Sequence, residues 1–215
     1  MARAKARALE RGGQPDAAGK GARRPENRST DPTARIRPHV RSLDAQACRE
    51  NRLLIAGAAD KDAAAVAAYR MLRTRILHRV RARNWVTIGV TSASPNDGKT
   101  LTAINLSLSL AREKNSEVVL LDLDMRNPSV CRCLGIEPDF ELRNFFEKKT
   151  ELEHVFFSMI GVENLLLSGN TAPAQHASEL LSSTRFEELI QHIKDRTTNP
   201  IVLIDLPPVL TTDDA

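Results

Sequence analysis

The chain has 215 residues, a formal net charge of +4 and a 41% hydrophobic share, enough for one α/β domain and a tail but not for two full domains. No apolar run approaches the roughly 20 residues that span a bilayer, and no apolar stretch follows Arg3, Lys5 and Arg7 to make a signal peptide, so the sequence reads as soluble and cytoplasmic. Cys48, Cys131 and Cys133 form neither an even framework nor a zinc pattern and are expected as free thiols.

Eleven of the 31 lysines and arginines fall between Arg3 and Arg41, which leaves the remainder slightly acidic. With Gly, Pro and Ala alongside them, residues 1–50 are expected to be a disordered basic tail, unable to bury enough surface to offset its ordering entropy. Such a tail could touch anionic lipid or nucleic acid, but a solvated linker is the expected reading. It has no interleaved aromatic residues to stack on bases, so nucleic acid is not expected as a partner.

From Asp62 onward Val66, Tyr69, Leu72, Ile76 and Val80 recur at helical spacing, predicting a basic amphipathic helix. WVTIGVT (85–91) follows as a strand covered on both faces, then TSASPNDGKT (91–100) as a loop and LTAINLSLSLAREK as a helix. EVVLLDLD (117–124) is a second buried strand, broken by Asn127 and Pro128, and NLLLSG (164–169) a third. SELLSSTRFEELIQHIKD (178–195) predicts one helix, and IVLID (201–205) a fourth strand stopped by Pro207 and Pro208. Strands alternating with helices imply a P-loop-type, doubly wound, mainly parallel sheet with right-handed crossovers, in a domain covering residues 60–215.

In a phosphate-binding loop successive backbone amides face the phosphates, a lysine reaches the outer ones and the next hydroxyl ligates magnesium. Gly98, Lys99 and Thr100 fill those places, with the helix N-terminus adding partial positive charge. Ser94, Pro95, Asn96, Asp97 and Leu101 complete the expected nucleotide-binding stretch, Arg126 is a further candidate, and Lys99 is expected at a solvent-open site. Ala93 stands where the familiar pattern has a glycine and is tolerated if its φ stays negative; asparagine at position 96 is the least costly substitute where φ must be positive. Thr91 and Ser92 are expected to close the loop through hydroxyl bonds to the backbone. Asp122 and Asp124 end one buried strand and Asp205 another. In a doubly wound sheet these ends converge beside the loop, and two or three acids around one lysine and one hydroxyl make a magnesium-nucleotide site.

TSASPNDGKT, LLDLDMRNP and IDLPPVLTTDDA, in that order, resemble the three nucleotide motifs of the bacterial tyrosine kinases that control capsule and exopolysaccharide synthesis, and AAYRMLRTRI and HASELLSS resemble two flanking segments. The likeness covers roughly residues 60 to 215 and is nearest to the variant that accompanies exosortase-linked loci. It implies ATP as donor, magnesium as cofactor and a tyrosine hydroxyl as acceptor. Lys99 and Thr100 would hold ATP and magnesium, Asp205 and Asp122 would serve the metal, and Asp122 or Asp124 would help deprotonate the acceptor. It also implies a homo-oligomeric ring through the helix bearing Arg70 and Arg73, although Ala67 replaces the glutamate that begins that motif. The partner would be a membrane polysaccharide co-polymerase or chain-length regulator holding the protein at the inner face of the cell membrane. The family phosphorylates a tyrosine-rich C-terminal tail, whereas Tyr69 is the only tyrosine here and is expected to pack in its helix. The family also has a further strand after DLPPVLTTDDA that lies against WVTIGVT, so the domain is expected to be incomplete at its C-terminus, with WVTIGVT left without one neighbour as an open edge. Two other readings share the loop. One is a relative of the division-site and plasmid-partitioning ATPases, whose early signature lysine has no counterpart in SASPN. The other is an ATP-sensing regulator of the co-polymerase without efficient transfer.

Overall fold

Among the described residues six strands make one sheet: β1 (His39–Arg41), β2 (Thr87–Val90), β3 (Val118–Asp122), β4 (Phe157–Met159), β5 (Val162–Ser168) and β6 (Ile201–Asp205). Their order is β1-β4-β5-β3-β6-β2, parallel at every step except the antiparallel β4–β5 pair. The computed structural model describes residues 36–55, 63–174 and 176–210, all within the unit Asp31–Ala215.

Side chains alternate across a strand, and this divides the core in two. Val118, Leu120, Leu165, Leu167, Ile201 and Leu203 pack with α3 (Lys99–Leu110) on one face of the sheet. Val119, Leu121, Leu166, Val202 and Ile204 pack with Leu189 and Ile193 of α7 (Thr184–Arg196) on the other. VVLLD and IVLID are buried at every position, as central parallel strands between two helical layers must be. On the α3 side lie α1 (Ala45–Glu50), α2 (Ala63–Arg83) and α4 (Val130–Leu134). On the α7 side lie α5 (Leu142–Phe146), a 3-10 turn at Leu152–Val155 and α6 (Ala177–Leu181).

Four expectations need correction. WVTIGVT is not covered on both faces: among the described residues β2 pairs only with β6, and Thr87 and Gly89 are exposed while Ile88 and Val90 are half-buried. The predicted helix over 178–195 is two helices, broken where Ser183 takes an extended backbone (φ −76°, ψ 157°). The hydroxyls of Ser182 and Ser183 bond back to the carbonyls of Ser178 and Leu180, each at 2.5 Å, the local competition by which serine interrupts a helix. Leu72, expected on the apolar stripe of α2, is exposed; Leu77 and Val80 are the buried positions. Residues 36–50, expected to belong to the disordered tail, are instead built into the fold. Ile36, Cys48, Leu53 and Leu54 are buried, β1 pairs with β4, and Asp44 caps α1 by accepting the amides of Gln46 (2.8 Å) and Ala47 (3.3 Å). Asn105 of α3 fixes the same segment, accepting from Leu54 N at 2.8 Å and donating to Arg52 O at 3.3 Å. Residues 1–35 lie outside the described residues. Among the described residues no helix is long and apolar enough to cross a membrane.

Candidate functional site

Strand register brings the site together. Val90 pairs with Asp205, and Asp205 with Asp122, so the carboxyl ends of three adjacent strands stop at one level, where a parallel sheet places its ligands. The chain then holds the loop to the segment after β6. Leu206 N donates to Val90 O (2.9 Å) and Val209 N to Ser92 O (3.0 Å), and the Thr91 hydroxyl donates to Pro207 O (2.7 Å).

Ala93 to Asp97 form an exposed loop. Asp97 Oδ2 accepts the Ser94 amide at 2.8 Å, and the Ser92 hydroxyl donates to Ser94 O at 2.8 Å. Asn96 and Gly98 adopt left-handed backbone, with φ of 65° and 86°, which glycine and asparagine tolerate best. Ala93 has no positive φ, so its methyl group brings no backbone strain. α3 starts at once, with Thr102 N on Gly98 O at 2.9 Å. Leu101 is half-buried against the core, which leaves its backbone rather than its side chain to face a nucleotide.

Beneath the loop lies a polar floor. Asp122 and Asp205 are fully buried and Asp124 is 2% exposed. The Lys99 ammonium is 2.8 Å from Asp124 Oδ2 and 3.5 Å from Asp205 Oδ2, and the Thr100 hydroxyl donates to Asp205 Oδ2 at 2.6 Å. The Lys99 side chain is only 9% exposed, not solvent-open as expected, because the carboxylates draw it inward. Burial pulls its pKa down, but the bond to Asp124 and the charges of Asp205, Asp124 and Asp122 outweigh it and raise the value. Burial pushes Asp205 up against the opposing bonds from Thr100 and Lys99. Asp122 rises to about 7, through burial first and then the charge of Asp205.

Three carboxylates face one ammonium, so a buried surplus of negative charge remains that a divalent cation would neutralise. The donors are all oxygens, as magnesium requires, and Asp122 Oδ1 is buried without a hydrogen-bond partner. Among the described residues no three His, Cys, Asp or Glu side chains are grouped to hold an ion by themselves. Magnesium commonly takes one or two carboxylates and completes its shell with water and substrate phosphate. The residues present therefore fit the ion.

Arg126, the remaining candidate, is exposed and donates to the Ser178 hydroxyl at 3.3 Å, on α6. Arg70 is exposed, whereas Arg73 turns inward and donates to Ser109 O on α3 at 2.9 Å. Sequence reasoning missed the groups that hold the floor in place. The amides of Ser129 and Val130 both donate to Asp122 Oδ2, at 2.8 and 2.9 Å, and the amide of Asn127 donates to Asp124 Oδ1 at 3.0 Å. The Pro-Ser step after LLDLDMRN, a helix-start signal, was the available clue.

No protein-family model matches the chain. It is 33% identical over 148 residues to tyrosine-protein kinase YwqD of Bacillus subtilis, covering 68% of this chain and 60% of that protein. It is 34% identical over 153 residues to tyrosine-protein kinase wzc of Salmonella typhimurium, covering 70% of this chain and 20% of that one. Among solved structures it resembles the BceF tyrosine kinase domain, with a TM-score of 0.63 and 29% identity over 79% of this chain and 67% of that chain. The kinase domain of Escherichia coli tyrosine kinase ETK gives 0.65 and 26%, over 73% and 60%. The chain thus spans 60% and 20% of the length of these two curated relatives.

Proposed function

We propose that the chain, as a member of the family of bacterial tyrosine kinases, binds ATP with magnesium at the carboxyl edge of its sheet and transfers the γ-phosphoryl group to a tyrosine of another polypeptide. The observation that carries this is the junction of Lys99, Thr100 and Asp205, a lysine and a hydroxyl from the start of α3 meeting the carboxylate that ends β6.

The loop amides and Gly98 would cradle the phosphates, with α3 adding its dipole. Thr100 and Asp205 would hold magnesium, with Asp122 beside them; bound there, the ion neutralises phosphate charge. Lys99 would exchange its bond to Asp124 for the outer phosphates. That exchange frees Asp124 Oδ2, while Oδ1 stays fixed on the Asn127 amide, and makes Asp124 the carboxylate suited to take the proton from the acceptor hydroxyl. The tyrosine oxygen then bonds to the γ-phosphorus as the bridge to the β-phosphate breaks, and ADP leaves. Catalysis on this scheme is positioning and charge stabilisation. As for its setting, the chain would act in the cytoplasm in capsule or exopolysaccharide synthesis, at the inner membrane face through a co-polymerase partner, and assemble with further copies through α2.

The test is incubation with γ-labelled ATP and magnesium alongside cytoplasmic segments of candidate co-polymerases. Labelled phosphotyrosine on the added segment, lost in Asp124→Asn, supports the proposal. A chain that binds ATP yet labels none of these segments counts against transfer.

A further inference from the structure

Asp122 is held from both sides. On one side the Ser129 and Val130 amides take Oδ2, so that Oδ1 is the oxygen left without a partner. On the other side lies Gly169, directly after β5. A Cβ built on Gly169 would stand 3.2 Å from Asp122 Cβ and 3.1 Å from Cys131 Sγ, closer than side chains ordinarily approach, and 3.9 Å from Asp122 Oδ2. The backbone of Gly169 lies outside the left-handed region, so no φ requirement calls for glycine here; the requirement is space. Cys131 is fully buried on α4, two residues past Ser129, and closes the remaining room. The Gly169 carbonyl accepts from Leu142 N at 3.0 Å, which ties this backbone to α5 and keeps it from backing away.

We infer that Gly169, with Cys131 behind it, is a positioning residue: the missing side chain leaves Asp122 the room to keep Oδ2 on the two amides and Oδ1 turned to the nucleotide's magnesium. The inference rests on the proposed magnesium-nucleotide reading of the floor. Any side chain at 169 pushes Asp122 and Cys131 apart, and Asp122 gives way because it stands at the open end of its strand. The loop and Lys99, which meet the phosphates without Asp122, are untouched.

The test uses the full chain as parent, Gly169→Ala, and Gly169→Ala combined with Cys131→Ala, which opens space for the added methyl group. ATP is titrated calorimetrically with magnesium and with chelator, and the amide resonances of Ser129 and Val130 are followed without nucleotide. In Gly169→Ala the tightening of ATP by magnesium should fall on the order of 10-fold, as displacement of a metal site's supporting shell does. The magnesium-free affinity should hold, both amide resonances should move, and the double variant should recover the magnesium effect. An unchanged magnesium effect with unmoved amides overturns the inference, as does an equal loss of affinity with and without magnesium, which would mark a general structural role. If the parent binds no ATP, the nucleotide reading fails, and the two amide resonances alone decide whether Gly169 positions Asp122.

Discussion

Ala93 to Asp97 are exposed and held by short local bonds, whereas Asp122, Asp124 and Asp205, directly beneath, are almost wholly out of solvent, Asp122 and Asp205 fixed by strand register and Asp124 by the Asn127 amide and Lys99. The two halves of one site are therefore built by different physics. The loop's shape comes from backbone preferences at Asn96 and Gly98, and its stability is local. The floor is part of the fold, and its charges are balanced against burial. Changes in the floor should thus alter stability and binding together, while changes in the loop should alter binding with little effect on the core.

The largest effect falls on Lys99. Removing a buried ion-pair partner strands the carboxylates it faced, so Lys99→Ala should lower the stability of the nucleotide-free chain by about 3 kcal/mol. It should also weaken ATP about 100-fold, through the loss of a charge-assisted bond of roughly 3 kcal/mol. Denaturant unfolding and calorimetry read the two separately; an unaltered unfolding midpoint would show that Lys99 belongs with the loop rather than the floor.

Next comes pH in magnesium-free protein. An unfolded Asp122 ionises near 3.8 and the folded one near 7. Between those values the folded chain holds a proton that the unfolded chain has released, so the stability due to this group falls as pH rises from about 4 to about 7. Asp122→Asn should lose that slope. Unfolding midpoints of parent and variant that run parallel across this window would contradict the buried floor.

Smaller changes are expected in the loop. Gly98 has open space where a Cβ would stand but a φ of 86°, so Gly98→Ala should cost about 1–2 kcal/mol from backbone alone, read mainly as lost nucleotide affinity. Asn96→Ala should cost about 1 kcal/mol and Asn96→Gly almost nothing, a ranking that calorimetry checks directly. The smallest effect is on self-labelling. Tyr69 is half-buried on the inner side of α2, so the isolated chain should gain almost no phosphotyrosine. Any signal that does form should vanish in Tyr69→Phe.

The same division explains what the sequence disclosed. VVLLD and IVLID are continuous apolar runs ending in aspartate, and Asn-Asp-Gly-Lys-Thr is a loop of local preferences, so strands, loop and lysine were all readable. What escaped depends on contacts distant in the chain. β1 and β4 are three-residue strands at one side of the sheet, too short for periodicity to reveal. Lys99 was expected in solvent because nothing near it in sequence announces that Asp124 and Asp205, 25 and 106 positions away, draw it inward. The break at Ser182–Ser183 was legible in the serine pair itself, but the apolar spacing on either side outweighed it.

The most direct measurement is a calorimetric titration of ATP into the chain and into Asp205→Asn, each with magnesium and with chelator. The site as built calls for one nucleotide per chain, bound more tightly with magnesium, and for Asp205→Asn to lose that magnesium-dependent part while retaining the magnesium-free affinity. Equal ATP affinity in both proteins, with magnesium making no difference to either, would contradict the assignment of the buried carboxylates to a magnesium-nucleotide site.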